Sequence, residues 1–507
     1  MKEKLAPYVM GLIIFLFCVF YAIFKCPLGG VDKYVIVGIS LWMVALYFLF
    51  ISNVKKKASF EKLSIILILG IGALYFVFMP RFSVPDEDGH FKRSYEISIG
   101  NFLSENHGDG GFSLIPGGFA KEQESVELLK DYLNPKDNVY NLQKQYSHNK
   151  ITDELFESYN PNQALYSPFA YIPQSLGISV ARIFTKNAAV LFYAGRLAMF
   201  AFSLVLIYYS IKLIPTGKRT ILIMCLFPMF MQEMISYSCD ALINTSSVFL
   251  IAYILHVCEK KQVMTPKDKL IIGFTCFIIA MCKIVYLPLV LAVFIIPKEK
   301  FKDKKAAWLY KILTAGISVV SNLVWLLISS SYMVETNPGV SPFEQVKYVI
   351  TNPFSFMATI FRTIAAKGAM WAVTMAGCRL GSLCVNVSYV AIVCILLILV
   401  FDFFIRTKEE KYIVSKMGKI LICLVLFSIL MLTFASLYVQ WTPYMKKIID
   451  GVQGRYFIPF ICWFVLVIGK IKVNIDNVSL AKIYLPVLIM VNYCAIFSIY
   501  THFLGIV

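Results

Sequence analysis

The chain has 507 residues, of which 59% are hydrophobic and only 15% charged; soluble domains carry roughly 25% charged residues, so a soluble globular protein is excluded. The formal charge is +18, but Lys and Arg gather in short loops between apolar runs: Lys55 to Lys57, Lys212 to Arg219, Lys260 to Lys269, Lys298 to Lys305, Arg406 to Lys419 and Lys470 to Lys472. That is the positive-inside pattern of a polytopic membrane protein, and without a basic stripe interleaved with aromatics it gives no reason to expect a nucleic-acid partner.

A spanning helix needs about 20 apolar residues. In chain order, the stretches that qualify are 7–25, 33–52, 62–79, 188–213, 219–236, 240–258, 306–331, 386–405, 417–437, 456–470 and 480–503. The first lacks a small-residue cleavage site and reads as a retained span. The stretch 270–297 is apolar with basic flanks on both sides. A hairpin with its apex near Lys283 keeps both flanks on one side, which brings the count to about thirteen spans with a cytoplasmic N-terminus and an external C-terminus. The fold class is therefore all-α integral membrane, with transmembrane helices over 1–79, an external loop over 80–187, a central transmembrane region over 188–331, a second external loop over 332–385 and C-terminal transmembrane helices over 386–507. The first loop is expected to carry short helices. Its end, Leu165 to Gln174, is aromatic and broken by proline, and reads as an amphipathic segment in the interface; an ordinary span over 166–184 is the other option. The thirteen cysteines lie mostly in apolar runs, as at Cys18, Cys225, Cys276 and Cys394, with no CxxC pair. They behave as small hydrophobes, and neither zinc nor a disulfide framework is expected.

The chemistry-bearing residues gather on the external side. Just beyond the third span comes Val84-Pro85-Asp86-Glu87-Asp88-Gly89-His90-Phe91-Lys92-Arg93. Acids beside lipid face a cavity or water, and one carboxylate there is suited to take the proton of an acceptor hydroxyl. A solvated loop start with an acidic helix cap would look the same. No cofactor is called for; Mg2+ or Mn2+, if used, would sit on Asp86, Glu87 and Asp88. Asp240 opens a span, and Asn244 lies one turn further on the same face; helix capping alone would also account for Asp240. Lys283, at the hairpin apex, is placed to meet a lipid phosphate or to snorkel to the interface. Arg455 stands where the chain re-enters the bilayer, and its planar fork suits phosphate oxygens. Arg196 lies inside a span and needs a partner. Arg362, Lys367 and Arg379 crowd the second loop near Trp371, so that cations and aromatic walls could together receive a phosphate and a sugar or polyprenyl chain.

Taken together these segments resemble a known family. Pro85-Asp86-Glu87-Asp88-Gly89-His90-Phe91-Lys92-Arg93-Ser94-Tyr95 resembles the Pro-Asp-Glu-x-x-His-Phe-x-Arg-x-Tyr signature of the DUF2142 family of bacterial membrane proteins. So do Tyr166-Ser167-Pro168 with Tyr171-Ile172-Pro173-Gln174, Gly195-Arg196-Leu197, Ser236 to Asn244, Lys283 to Leu289 and Gly454 to Pro459. That family is similar to the GT-C class of membrane glycosyltransferases, which use a polyprenyl-phosphate-linked sugar outside the membrane. The resemblance implies a GT-C-like bundle in a bacterial cytoplasmic membrane, with Asp86 or Glu87 as the base and Arg455, Lys283 and Arg196 as donor-phosphate contacts. His90, Arg93, Tyr166, Asp240, Asn244, Arg362 and Trp371 would line the substrate site. The acceptor would be a cell-surface glycan or glycolipid, such as a cell-wall polysaccharide. The rival readings are a polysaccharide polymerase or ligase using a lipid-linked oligosaccharide, and a transporter or flippase for a lipid-linked glycan.

Overall fold

The computed structural model describes residues 2–26, 32–108, 110–119, 138–334, 339–410 and 414–505. Long runs of Leu, Ile, Val and Phe without interior breakers form helices because a backbone in hydrocarbon has to satisfy its own polar groups. Among the described residues, eight helices are long and apolar enough to cross a membrane: Leu5–Lys25, Lys33–Lys55, Phe60–Phe78, Ala188–Leu213, Asp240–Glu259, Lys304–Tyr332, Lys416–Gln440 and Asn477–Phe503. Side-chain caps start several of them: Asn187 accepts from Val190 N, Asp303 from Ala306 N, Ser415 from Gly418 N and Asp476 from Ser479 N.

Two of these helices form the centre. The apolar windows of Asp240–Glu259 and Asn477–Phe503 are 89% and 78% buried, whereas those of Leu5–Lys25, Lys304–Tyr332 and Lys416–Gln440 are 28% buried or less. The outer helices expose their apolar side chains, as lipid-facing helices do, and the central pair buries polar residues such as Asp240, Asn244 and Asn492 against neighbours.

Other apolar stretches depart from single long helices. The 219–236 stretch divides into Lys218–Cys225 and Pro228–Met234, because Pro228 cannot continue the first helix. The 270–297 stretch is the helix Pro266–Cys282, an extended residue at Lys283, and a 3-10 segment Ile284–Ile295. Its two feet meet, since Met264 N donates to Lys300 O at 2.7 Å, and that contact closes a hairpin with Lys283 at its tip. A 3-10 helix rises about 2 Å per residue, so its twelve residues reach about 24 Å, further than an α-helix of that length. The 456–470 stretch begins as a second 3-10 segment, Gly454–Phe460, followed by the short helix Ile461–Phe464.

The first loop holds the helix Glu87–Ser98 and, besides short helices, a three-stranded antiparallel sheet of Glu105–Asn106, Gly111–Pro116 and Leu155–Tyr159. At its end a 3-10 turn, Pro168–Tyr171, leads into the thirteen-residue helix Ile172–Phe184. Leu176, Val180, Ile183 and Phe184 are exposed along it, while Ser175 and Ser179 donate to Ser94 O and Ser98 O of the loop. A helix of that length is too short for an ordinary span. The 332–385 region also carries more order than a loop, with helices Pro342–Thr351 and Pro353–Ala376 and a hairpin of Arg379–Leu380 with Val385–Asn386.

The basic connections share one end of the bundle, where Ser59, Lys212, Lys218, Glu259, Glu409 and Asn477 line one cavity. Asp86, Asp240 and the tips at Lys283 and Arg455 share the other.

Candidate functional site

The helix Phe60–Phe78 ends at Met79-Pro80, and the freed carbonyls of both residues accept from Arg196, Nη1 to Met79 O and Nη2 to Pro80 O, each at 2.8 Å. The rest of that guanidinium grips Glu87, with Nε to Oε1 at 2.8 Å and Nη2 to Oε2 at 2.5 Å. Tyr237 N adds a third donor to Glu87 Oε1 at 3.3 Å. Both side chains are fully buried. Such a buried bidentate pair is a fastener between the loop and the Ala188–Leu213 helix. This places two expectations differently: Glu87 is fully buried and held by three donors, away from the half-exposed Asp86, and Arg196 spends four of its five N–H groups on Glu87, Met79 O and Pro80 O.

The fastener sets up its neighbour. Asp86 lies in the left-handed region, φ 59° and ψ 15°, and its side chain caps nothing in the helix that follows. Aspartate tolerates that backbone better than most residues, and the turn aims the carboxylate away from the helix. It is 59% exposed and accepts from Arg455 Nη2 at 3.4 Å, across 369 positions of sequence.

Arg455 is 5% exposed and sits among three acids: Asp86, Asp240 with Nε to Oδ2 at 3.6 Å, and Glu233 with Nη1 to Oε1 at 3.7 Å. Its position depends on Gly454, where a Cβ would meet Trp371 O at 2.4 Å and Met375 N at 2.5 Å. Only glycine permits that approach of backbone to backbone. Trp371 is buried here as support, its Nε1 donating to Val452 O at 3.1 Å and its ring packed on Phe457. It backs the site and does not line it. Lys283 pairs with Asp240, and its ammonium lies 5.5 Å from the ring centre of Tyr166 and 5.4 Å from that of Tyr456. Tyr286 Oη donates to Tyr456 O at 3.0 Å, which ties the two 3-10 segments together.

His90 is buried beside the cluster and its Nδ1 is 2.7 Å from Tyr171 Oη. Burial pushes its pKa down to about 4; Asp86 and Asp240 oppose that and Lys283 and Arg455 reinforce it. The ring is therefore neutral near pH 7. Asn244 is buried below Asp240, with no hydrogen-bond partner on Nδ2. The structure thus brings Asp86, His90, Tyr166, Asp240, Lys283 and Arg455 together.

Two expected substrate contacts lie elsewhere. Arg93 is buried inside the first loop, where it donates to Glu96 Oε2 at 2.7 Å, Ser104 Oγ at 3.2 Å and Phe102 O at 2.7 Å. Arg362 is exposed on the Pro353–Ala376 helix, and no ion pair among the described residues joins it to the cluster. The run of acids does not converge on one point either, since Glu87 turns to Arg196, Asp86 to Arg455 and Asp88 to Lys92 at 3.7 Å. Among the described residues no group of three or more His, Cys, Asp or Glu is placed to hold a metal ion.

Glu233, Tyr171 and Tyr456 complete the site and were passed over in the sequence. Glu233 carried a usable signal, being the one acid, beside the polar Gln232, in the apolar Pro228-Met229-Phe230-Met231-Gln232-Glu233-Met234. The tyrosines are indistinguishable from interfacial anchors until the tips are seen side by side.

A family model described as a predicted membrane protein, DUF2142, matches residues 69–464, and every residue of the cluster falls within that range. No curated protein and no solved structure matches the chain.

Proposed function

We propose, from the premise that the chain belongs to the DUF2142 family of membrane proteins, that it is a GT-C-type glycosyltransferase moving a sugar from a polyprenyl-phosphate donor to a glycan or glycolipid acceptor. The polypeptide would make about thirteen passes, with the basic connections in the cytoplasm and the acidic end outside, as the positive-inside rule directs. Nucleotide sugars are not expected on that side, so the donor is a lipid-linked sugar held in the bilayer.

The observation that carries this is the meeting of Asp86 with Arg455. A half-exposed carboxylate touches a nearly buried guanidinium, beside a second cation, Lys283, framed by tyrosines. Asp86 takes the proton of the acceptor hydroxyl as its oxygen attacks the anomeric carbon. The bond from that carbon to the phosphate oxygen breaks, and the polyprenyl phosphate leaves with one more negative charge. Arg455 and Lys283 are the preorganised cations for that charge. One base and a direct displacement give inversion at the anomeric carbon. Asp240, on both cations, holds them in place while the donor is absent.

The test is product formation by the purified chain in proteoliposomes supplied with a polyprenyl-phosphate sugar and an acceptor glycan. Asp86→Asn should abolish product while leaving donor binding. Transfer by Asp86→Asn at the wild-type rate contradicts the assignment. Movement of donor between leaflets without sugar transfer would favour a lipid-linked glycan transporter, and transfer from lipid-linked oligosaccharides alone would favour a polymerase or ligase.

A further inference from the structure

The polar groups around Arg455 do not balance. Glu233 is fully buried, and neither of its oxygens has a hydrogen-bond partner. Arg455 Nε and Nη1 and Asn244 Nδ2 are in the same condition. Buried donors and acceptors are nearly always satisfied in a finished interior, so orphans gathered at one spot mark room for a hydrogen-bonding ligand. Charge points the same way. Asp86, Asp240 and Glu233 already face the two cations Arg455 and Lys283, and a phosphodiester adds a fourth anion. Asp240 touches both cations, and Asp86 is 59% exposed and screened by water. Glu233 is fully buried and its nearest counter-charge, Arg455 Nη1 at 3.7 Å, lies beyond hydrogen-bond reach, and a weakly paired buried charge is the first to be neutralised.

We propose that Glu233 is the proton-accepting residue of the phosphate site: as a phosphodiester headgroup settles on Arg455 and Lys283, Glu233 takes up a proton and becomes a hydrogen-bond donor toward it. This rests on the reading of the cluster as a lipid-phosphate site. The groups facing Glu233 are Arg455 from the 3-10 segment Gly454–Phe460, and Asp240 and the Ser238 hydroxyl at the start of the Asp240–Glu259 helix, with Lys283 behind them. On the other packed elements, Arg196 is spent on Glu87, and Arg379 is exposed on its hairpin. His90, pushed down to about 4, stays neutral across the range tested, so it does not compete for the proton.

The test is calorimetric titration of the full chain in detergent with farnesyl methyl phosphate, a phosphodiester whose own charge stays fixed between about pH 6 and 8. Running it in two buffers of different ionisation heat reports proton uptake directly. Wild type should take up close to one proton per ligand at about pH 8, with affinity falling by up to about tenfold per pH unit as pH rises. Glu233→Gln, which donates a hydrogen bond at any pH, should bind at least as tightly at the alkaline end, with no uptake and a flat profile. Binding by wild type without uptake overturns the proposal, as does uptake that persists in Glu233→Gln or that vanishes only in His90→Asn. If Glu233→Gln does not fold, the two-buffer measurement on wild type still decides. No binding by wild type at any pH brings down the phosphate site itself, a different outcome from binding without a proton.

Discussion

Two arginines buried at opposite ends of the bundle show what completes a structural network and what leaves one open. Arg219, at the basic end, is 1% exposed and has a hydrogen-bond partner on each of its three nitrogens. Its Nε donates to Asp402 at 2.7 Å, Nη2 to Ile405 O at 3.1 Å and Nη1 to Asn477 Oδ1, while Thr220 holds the second Asp402 oxygen at 2.8 Å. Arg455, at the acidic end, touches three acids where Arg219 has Asp402 and Glu410, but at 3.4 to 3.7 Å and with two nitrogens lacking a hydrogen-bond partner. Both are surrounded by carboxylates. The difference lies in hydrogen bonding, and it separates a guanidinium that closes a fold from one that waits for a ligand.

The largest expected effect falls on the open end. Asp86→Asn should lower sugar transfer by about 10²- to 10⁴-fold and leave thermal unfolding in detergent unchanged, because the side chain is half exposed and caps no helix. An equal loss of stability would place Asp86 with the fasteners. Next comes the closed end. Arg219→Ala should destabilise the protein by about 3–5 kcal/mol, the cost of stranding a buried carboxylate. Arg455→Ala should cost clearly less stability while removing transfer. Denaturant unfolding of both variants checks the contrast, and equal losses would erase it.

A smaller effect concerns pH. The folded-state pKa of His90 is depressed to about 4 from an unfolded value near 6.5. Its contribution is therefore present above about pH 6.5 and lost as pH falls toward 4, because the unfolded chain binds the proton more readily. Unfolding measured across that window should show a loss of about 3 kcal/mol that His90→Asn lacks. The smallest is steric. Gly454→Ala, whose Cβ would press on Trp371 O, should cost about 1–3 kcal/mol and misplace Arg455, so transfer should fall more than stability does.

The comparison also explains what could be read in the sequence. Apolar length and basic loops were enough for an all-α membrane protein, and the basic flanks of 270–297 were enough for its hairpin, because those signals are local and each follows from the cost of burying charge in lipid. The stretches 219–236 and 456–470 read as single spans, although Pro228 and Pro459 lie within them, because 3-10 geometry and helix breaks depend on neighbours. The first-loop sheet gave little warning, since its strands are short. At the site, charge type was legible and saturation was not. Glu87 and Asp86 are adjacent and look alike in sequence, yet one is locked to Arg196 and the other meets Arg455. Their roles are set by residues more than a hundred positions away. Arg93 differs in that its partners are local, and the folding of Glu96 and Ser104 onto it shows it to be internal.

The most direct test of the central claim is a structure of the chain in lipid with a polyprenyl-phosphate sugar bound. The account predicts phosphate density within hydrogen-bond reach of Arg455 and Lys283, with the Asp86 carboxylate facing the anomeric carbon from the opposite side. A headgroup bound elsewhere, with Arg455 still resting on Asp86, Asp240 and Glu233, would contradict it.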